Sequence, residues 1–153
     1  MKKLLIATTN KGKLREFQMF LKDLPIEVVS LSDVGIDKDF EENGKTYEEN
    51  SEGKARFYSE LSGLPSLSDD GGIEIAALGG APGIHSKRWV GEHSTEDKII
   101  EKMKQVALDL PEDNRNASFK TVVTVVFPNG EMIQEAGEVV GEIARKPLVK
   151  ILQ

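Results

Sequence analysis

The opening of the chain constrains its fold more than any other feature. Lys3 to Ala7 is a short apolar run of strand length that ends in the polar loop Thr8-Thr9-Asn10-Lys11-Gly12-Lys13. Leu14, Phe17, Leu21 and Leu24 then recur at helical spacing until Pro25 closes the helix, and Ile26 to Leu31 reads as a second strand. A strand, a crossover helix and another strand form the unit from which parallel sheets are built. The fold class that follows is α/β.

Further along, Ser32 to Gly44 is polar, acidic and aperiodic, and reads as loop. A helix is predicted from Thr46 to about Leu61, with Tyr47, Lys54, Tyr58 and Leu61 along one stripe, and Gly63-Leu64-Pro65 breaks it. A short strand at Ser66 to Ser68 is expected to run into a tight turn, Asp69-Asp70-Gly71-Gly72, before Ile73 to Ala77 resumes an extended pattern. Gly79-Gly80-Ala81-Pro82-Gly83 reads as loop. Ser94 or Thr95 caps a third helix whose apolar stripe is Ile99, Ile100, Met103, Val106, Ala107 and Leu110. In Ala117 to Phe127 the residues Phe119, Thr121, Val123, Val125 and Phe127 alternate on one face. Pro128-Asn129-Gly130-Glu131 then predicts a type I′ hairpin turn, with a partner strand from Met132 to about Ile143. Ala144 to Gln153 carry no turn or cap signal that would finish a domain. The expected architecture is a mixed twisted sheet with a long β-hairpin and flanking helices, in one domain spanning residues 1–153.

Composition narrows what such a chain can do. It has no Cys, so disulfides, thiolate metal sites and cysteine nucleophiles are excluded. The apolar stretch behind Met1-Lys2-Lys3 stops at Thr8, short of a secretory signal, and no run approaches a membrane span. A cytoplasmic protein with no membrane partner is expected. A net charge of −6 argues against nucleic acid as partner, because phosphate contacts dominate that affinity. A phosphorylated ligand must therefore be met by local cations, backbone N–H groups or a metal.

Four clusters could supply that chemistry. Thr8, Asn10 and Lys13 sit at a strand-to-helix junction, which is either a phosphate seat or a plain capped loop. Glu41-Glu42 precede a helix on which Asn50 and Lys54 share a face at i and i+4, and a lysine there wants an anion. Asp69-Asp70-Gly71-Gly72 holds two carboxylates close together, a costly arrangement unless a cation bridges them or one stays protonated. Hard oxygen ligands without nearby His or Cys select Mg²⁺ or Ca²⁺; the alternative is an Asp-rich surface turn. Gly79-Gly80-Ala81-Pro82-Gly83, with Ser86, Lys87 and Arg88 behind it, either approaches a ligand closely or is an ordinary surface loop. Together they suit a metal–polyphosphate substrate, and spacing carries the reading no further.

In order and spacing the same clusters resemble the Ham1 family of inosine triphosphate pyrophosphatases. Thr8-Thr9-Asn10-Lys11-Gly12-Lys13-Leu14-Arg15-Glu16 is similar to the family's T-x-N-x-x-K-x-x-E. Glu42-Asn43-Gly44-Lys45-Thr46-Tyr47-Glu48-Glu49-Asn50, with Lys54-Ala55, resembles E-x-G-x-T-[FY]-x-E-N-A-x-x-K-A. Ser68-Asp69-Asp70-Gly71-Gly72-Ile73-Glu74 resembles A-D-D-S-G-L-x, and Ala77 to Trp89 resembles A-L-G-G-A-P-G-x-x-S-A-R-[YF]. Gly137 to Ala144 resembles the strand before the family's base-binding segment.

The resemblance implies hydrolysis of non-canonical purine nucleoside triphosphates to monophosphate and pyrophosphate, with Mg²⁺ as cofactor and a homodimer as the assembly. It implies that Glu42 and Asp70 hold the metal, and that Asp69 or Asp70 orients or deprotonates the attacking water. Thr8, Asn10, Lys13, Asn50, Lys54 and Gly71 would bind the triphosphate, with Ser86 and Arg88 near it. Two departures stand out. Gly71 replaces the family's usual Ser, losing one hydroxyl. Family members also continue with base-holding motifs, whereas Arg145-Lys146-Pro147 runs straight into Leu148 to Gln153, so the base-binding segment is expected to be missing. Two other readings stay open: a catalytically impaired nucleotide-binding remnant, and a Maf-type nucleotide pyrophosphatase, against which the A-L-G-G-A-P-G run argues.

Overall fold

The computed structural model describes residues 1–91 and 93–146, so Pro147 to Gln153, expected to lack a closing signal, lie outside the described residues. The elements are β1 (Lys2–Ile6), α1 (Lys11–Leu21), β2 (Ile26–Ser30), α2 (Tyr47–Ser62), β3 (Ser66–Ile75), α3 (Glu96–Asp109), β4 (Asn116–Val126) and β5 (Met132–Glu142). Two 3-10 segments, Ala76–Leu78 and Gly83–Arg88, lie between β3 and α3. The fold is α/β, a five-stranded mixed sheet in the order β2-β1-β3-β4-β5 with flanking helices. β1 runs parallel to both neighbours, Leu5 facing Val29 on one side and Ser66 on the other. The opening strand, crossover helix and strand thus form the parallel unit their sequence predicts.

The chain divides into two compact units, Met1–Asp70 with Val122–Ala136, and Gly71–Thr121 with the stretch from Gly137. In the first, Leu5, Ala7, Val29, Leu31 and Tyr58 form the core, with Phe40, Phe57 and Leu64 packed against it. α2 starts where Thr46 accepts a hydrogen bond from the Glu49 N–H, and it ends at Gly63, whose left-handed backbone lets its N–H reach the Ser59 carbonyl. In the second unit, Ile75, Val106 and Leu110 are buried under Trp89, Met103 and Ile143.

The structure corrects several local expectations. Asp69-Asp70-Gly71-Gly72 is no turn: β3 runs unbroken from Ser66 to Ile75. The glycines are there for close approach, since a Cβ on Gly72 would collide with the Gly83 carbonyl and the Ser86 hydroxyl. On β4 the buried residues are Val122, Thr124 and Val126, and the set beginning at Phe119 forms the opposite face. After Thr121 both parities are apolar or β-branched, so alternation alone could not choose between them. The hairpin turn is not type I′ either. Only Gly130 has positive φ, and Pro128-Asn129-Gly130 forms a three-residue loop closed by the Phe127 N–H on the Glu131 carbonyl. Leu24 lies past the end of α1, and Leu24, Leu61 and Ile100 are exposed rather than part of their helices' buried stripes.

Candidate active site

α1, α2 and β3 bring most of the predicted residues together within the first unit. Because side chains alternate along a strand, Asp69 and Asp70 leave β3 on opposite faces, and each meets a different helix. Asp69 Oδ2 receives Lys13 Nζ from the first turn of α1 at 2.8 Å. Asp70 Oδ2 accepts a hydrogen bond from Asn50 Nδ2 of α2 at 3.0 Å. The expected crowding of two like charges in a turn is therefore absent, and the pleat separates them. Both carboxylates are nevertheless buried, each 6% exposed.

Asn50 joins two parts of the site. Its amide nitrogen holds Asp70, while its carbonyl oxygen accepts the Gly44 N–H at 2.7 Å, tying down the loop that carries Glu42. Any Cβ on Gly44 would press on that same oxygen at 2.6 Å, so the approach needs glycine. Glu42 Oε1 lies 2.7 Å from Lys54 Nζ, one helical turn beyond Asn50, in a half-buried ion pair. The loop is further anchored by Phe40, whose ring packs on Gly53 and Phe57, and by the Tyr58 hydroxyl, which donates to the Lys38 carbonyl at 2.7 Å. Burial pushes the Tyr58 phenol up, and the charges of Asp39 and Glu42 reinforce the shift. Tyr58 was read from sequence only as part of the α2 stripe, and Phe40, an apolar residue in an acidic loop, was not singled out.

At the junction of β1 and α1, Asn10 is the N-cap. Its side-chain oxygen accepts from the N–H groups of Gly12 and Lys13 at 2.9 and 3.2 Å, and the Asn10 N–H donates to the Thr8 hydroxyl. Lys13 is thereby fixed in the first helical turn and aimed at Asp69. The capped-loop reading and the phosphate-seat reading describe the same residues.

Gly71, Ser86 and Arg88 belong to the second unit. The Ser86 hydroxyl accepts from the Ile73 N–H at 3.1 Å and donates to the Gly83 carbonyl at 2.6 Å, clamping the glycine-rich segment to β3. Arg88 is exposed at the end of the 3-10 segment. A Cβ on Gly71 would collide with the Thr121 hydroxyl and the Lys120 carbonyl, so this chain has no room for the usual Ser. Gly71→Ser is accordingly expected to lower stability by about 2 kcal/mol rather than restore a useful hydroxyl. Thermal melting checks this, and a variant as stable as the parent would show that β4 yields easily.

One buried carboxylate oxygen of the site has no donor. Asp69 Oδ1 is buried without a hydrogen-bond donor, while the carboxylate's other oxygen faces Lys13. A buried acceptor with no donor is a seat for a cation or for the proton of a bound water. Among the described residues no group of three or more His, Cys, Asp or Glu could hold a metal by itself. Glu42 and Asp70 offer two hard oxygen donors, the number of carboxylates that Mg²⁺ takes beside water and phosphate oxygens.

The fold and this cluster define an α/β protein with two buried carboxylates on one strand, one held by a lysine of α1 and the other by an asparagine of α2. The chain belongs to the Ham1 family, which it matches over residues 4–150. It is 42% identical over 123 residues to a dITP/XTP pyrophosphatase of Shigella flexneri, covering 80% of this chain and 62% of that protein. Over 147 residues it is 37% identical to the dITP/XTP pyrophosphatase of Geobacter sulfurreducens, covering 96% and 74%. Among solved structures, a HAM1 protein from Coxiella burnetii superposes with a TM-score of 0.84 at 36% identity, covering 97% of this chain and 76% of that one. The chain thus spans less than two thirds of the Shigella relative's length.

Proposed function

We propose that this chain carries the catalytic carboxylates of a nucleoside triphosphate pyrophosphatase that converts non-canonical purine nucleoside triphosphates such as dITP, ITP and XTP to monophosphate and pyrophosphate. The observation that carries the proposal is the buried Asp69–Asp70 pair, gripped from two sides by Lys13 and Asn50 with one carboxylate oxygen left without a donor. The kinship with dITP/XTP pyrophosphatases supplies the substrate class.

In this reading Asp70 takes the proton of a water that adds to the α-phosphorus. The bond from that phosphorus to the bridging oxygen breaks, and pyrophosphate leaves with the electron pair. Asp69, on the other face of β3, acts through Lys13, which it holds at the start of α1. Lys13 and Lys54 turn from their carboxylates toward the phosphates and neutralise the charge that builds on the departing group. Thr8, Asn10 and Asn50 complete the phosphate cradle, and Gly71, Ser86 and Arg88 are assigned as further substrate-binding residues. Glu42 and Asp70 would hold Mg²⁺, which supplies charge neutralisation on the phosphates. We assign the protein to the cytoplasm, where nucleotide pools lie, and to a homodimer. No helix among the described residues is long and apolar enough to cross a membrane.

Pyrophosphate release from dITP, XTP, dGTP and ATP, in Mg²⁺ and in excess chelator, tests the reading. Release is expected from dITP and XTP at least about tenfold faster than from dGTP, and it should vanish with chelator. No release from any of the four would end the proposal. A solution mass of twice the 16.9 kDa chain is expected for the dimer.

A further inference from the structure

Behind the site lies a set of buried polar side chains that the proposed chemistry does not use. Ser51 of α2 and Ser68 of β3 are 0% and 2% exposed, and Thr124 of β4 is 0% exposed. The Ser51 hydroxyl donates to Thr124 Oγ1 at 2.8 Å, and the Ser68 hydroxyl donates to the Ser51 carbonyl in a short hydrogen bond. Half-buried Gln134 of β5 closes the set, its amide donating to Thr124 Oγ1 at 2.9 Å and to the Glu48 carbonyl at 3.2 Å. Glu48 and Ser51 lie three residues apart and so on one face of α2. That face is stitched to three successive strands.

Two of these residues depart from the family pattern together. Ser51 stands where E-N-A-x-x-K-A has its first Ala, and Ser68 where A-D-D-S-G has its Ala. A single buried hydroxyl among apolar neighbours costs free energy unless it finds a partner. Here the two serines partner each other and Thr124. A helix on a purely apolar bed is held by non-directional contacts and can shift by fractions of an ångström, whereas hydrogen bonds of defined length fix one position. The residues directly affected are those beside Ser51: Asn50, which holds Asp70 and Gly44, and Lys54, which holds Glu42.

We infer that Ser51, Ser68, Thr124 and Gln134 form a positioning network that sets α2 on the sheet and so aligns Asn50 and Lys54 with the carboxylates. None of the four touches the reacting atoms; they act through Asn50 and Lys54. The kinetic consequence rests on the hydrolytic reading, whereas the positional one does not.

Thr124→Val keeps the shape and removes the hydroxyl, Gln134→Leu removes the outer link, and Thr124→Ser keeps the hydroxyl. In nitrogen-15 NMR spectra of the full chain, the Asn50 side-chain amide and the Gly44 backbone amide are expected to shift in Thr124→Val and Gln134→Leu and to return in Thr124→Ser. On dITP, kcat is expected to fall about tenfold in the first two with KM within about twofold, and to recover in Thr124→Ser. Unmoved Asn50 and Gly44 signals in both variants overturn the inference, whatever happens to melting temperature. Moved signals with undiminished kcat in an active protein overturn it too. If the parent protein hydrolyses nothing, the hydrolytic reading fails separately, and the NMR shifts still decide the network.

Discussion

Asp70→Asn is expected to lower pyrophosphate release by about a thousandfold while leaving the melting temperature within a few degrees of the parent. The separation of the two effects follows from the contacts. Asp70 Oδ2 accepts from Asn50 Nδ2, and a carboxamide oxygen can accept the same bond, so the link between β3 and α2 survives. What is lost is the negative charge and the capacity to take a proton at that position. Asp69→Asn should behave differently, because Asp69 faces Lys13 at 2.8 Å and its other oxygen has no donor. That variant removes one partner of a mostly buried ion pair, so a measurable loss of stability is expected beside the loss of turnover. Retention of more than about a tenth of the parent's kcat in Asp70→Asn would remove it from the role of base.

The second large effect concerns stability. Arg115, buried in the second unit, donates from Nε to the Ile143 carbonyl at 2.9 Å and from Nη1 to the Leu110 carbonyl at 2.9 Å. Its Nη2 donates to the Ala107 carbonyl at 2.6 Å and to the Ala144 carbonyl at 3.3 Å. Ala107 and Leu110 lie in the last turn and C-cap of α3, where carbonyls have no helical donors and the helix dipole favours a cation. One planar fork therefore finishes α3 and fastens the chain that follows β5. Arg115→Met leaves those carbonyls without a charged donor and is expected to cost about 3 kcal/mol or more. In melting temperature that is roughly 10 °C for a chain of this size. Arg115→Lys should recover less than half, since an ammonium cannot reproduce the fork. Melting of both variants within a degree or two of the parent would show that water serves these carbonyls equally well.

Local pattern made some of this architecture readable and left other parts hidden. The β1–α1–β2 unit, the capping of α3 by Thr95 and the hairpin were all legible, because apolar spacing and cap chemistry are local properties. The run of β3 through Asp69 to Gly72 was not. Two acids and two glycines read as a turn, and the reason for the glycines lies in segments remote in sequence, Gly83, Ser86 and Thr121. Which face of β4 is buried was not readable: Val122, Thr124 and Val126 are no more apolar than their neighbours, and packing decided the matter. Within the site, Lys54, Asn50 and Glu42 share a short stretch of chain, and their spacing hinted at their association. The contact between Lys13 and Asp69 spans more than fifty residues and has no local signature. Ser51 and Ser68 were not singled out from sequence, and only their proximity in space gives them meaning.

The first unit is discontinuous, Met1–Asp70 being completed by Val122–Ala136. During synthesis, therefore, the Ser51 hydroxyl emerges well before Thr124 exists to accept it. Until the ribosome has delivered the later stretch, α2 has a sheet to lie on but no fixed berth, and the acidic centre is an unfinished assembly. On the inferred network, the placing of α2 is completed only when β4 and β5 arrive.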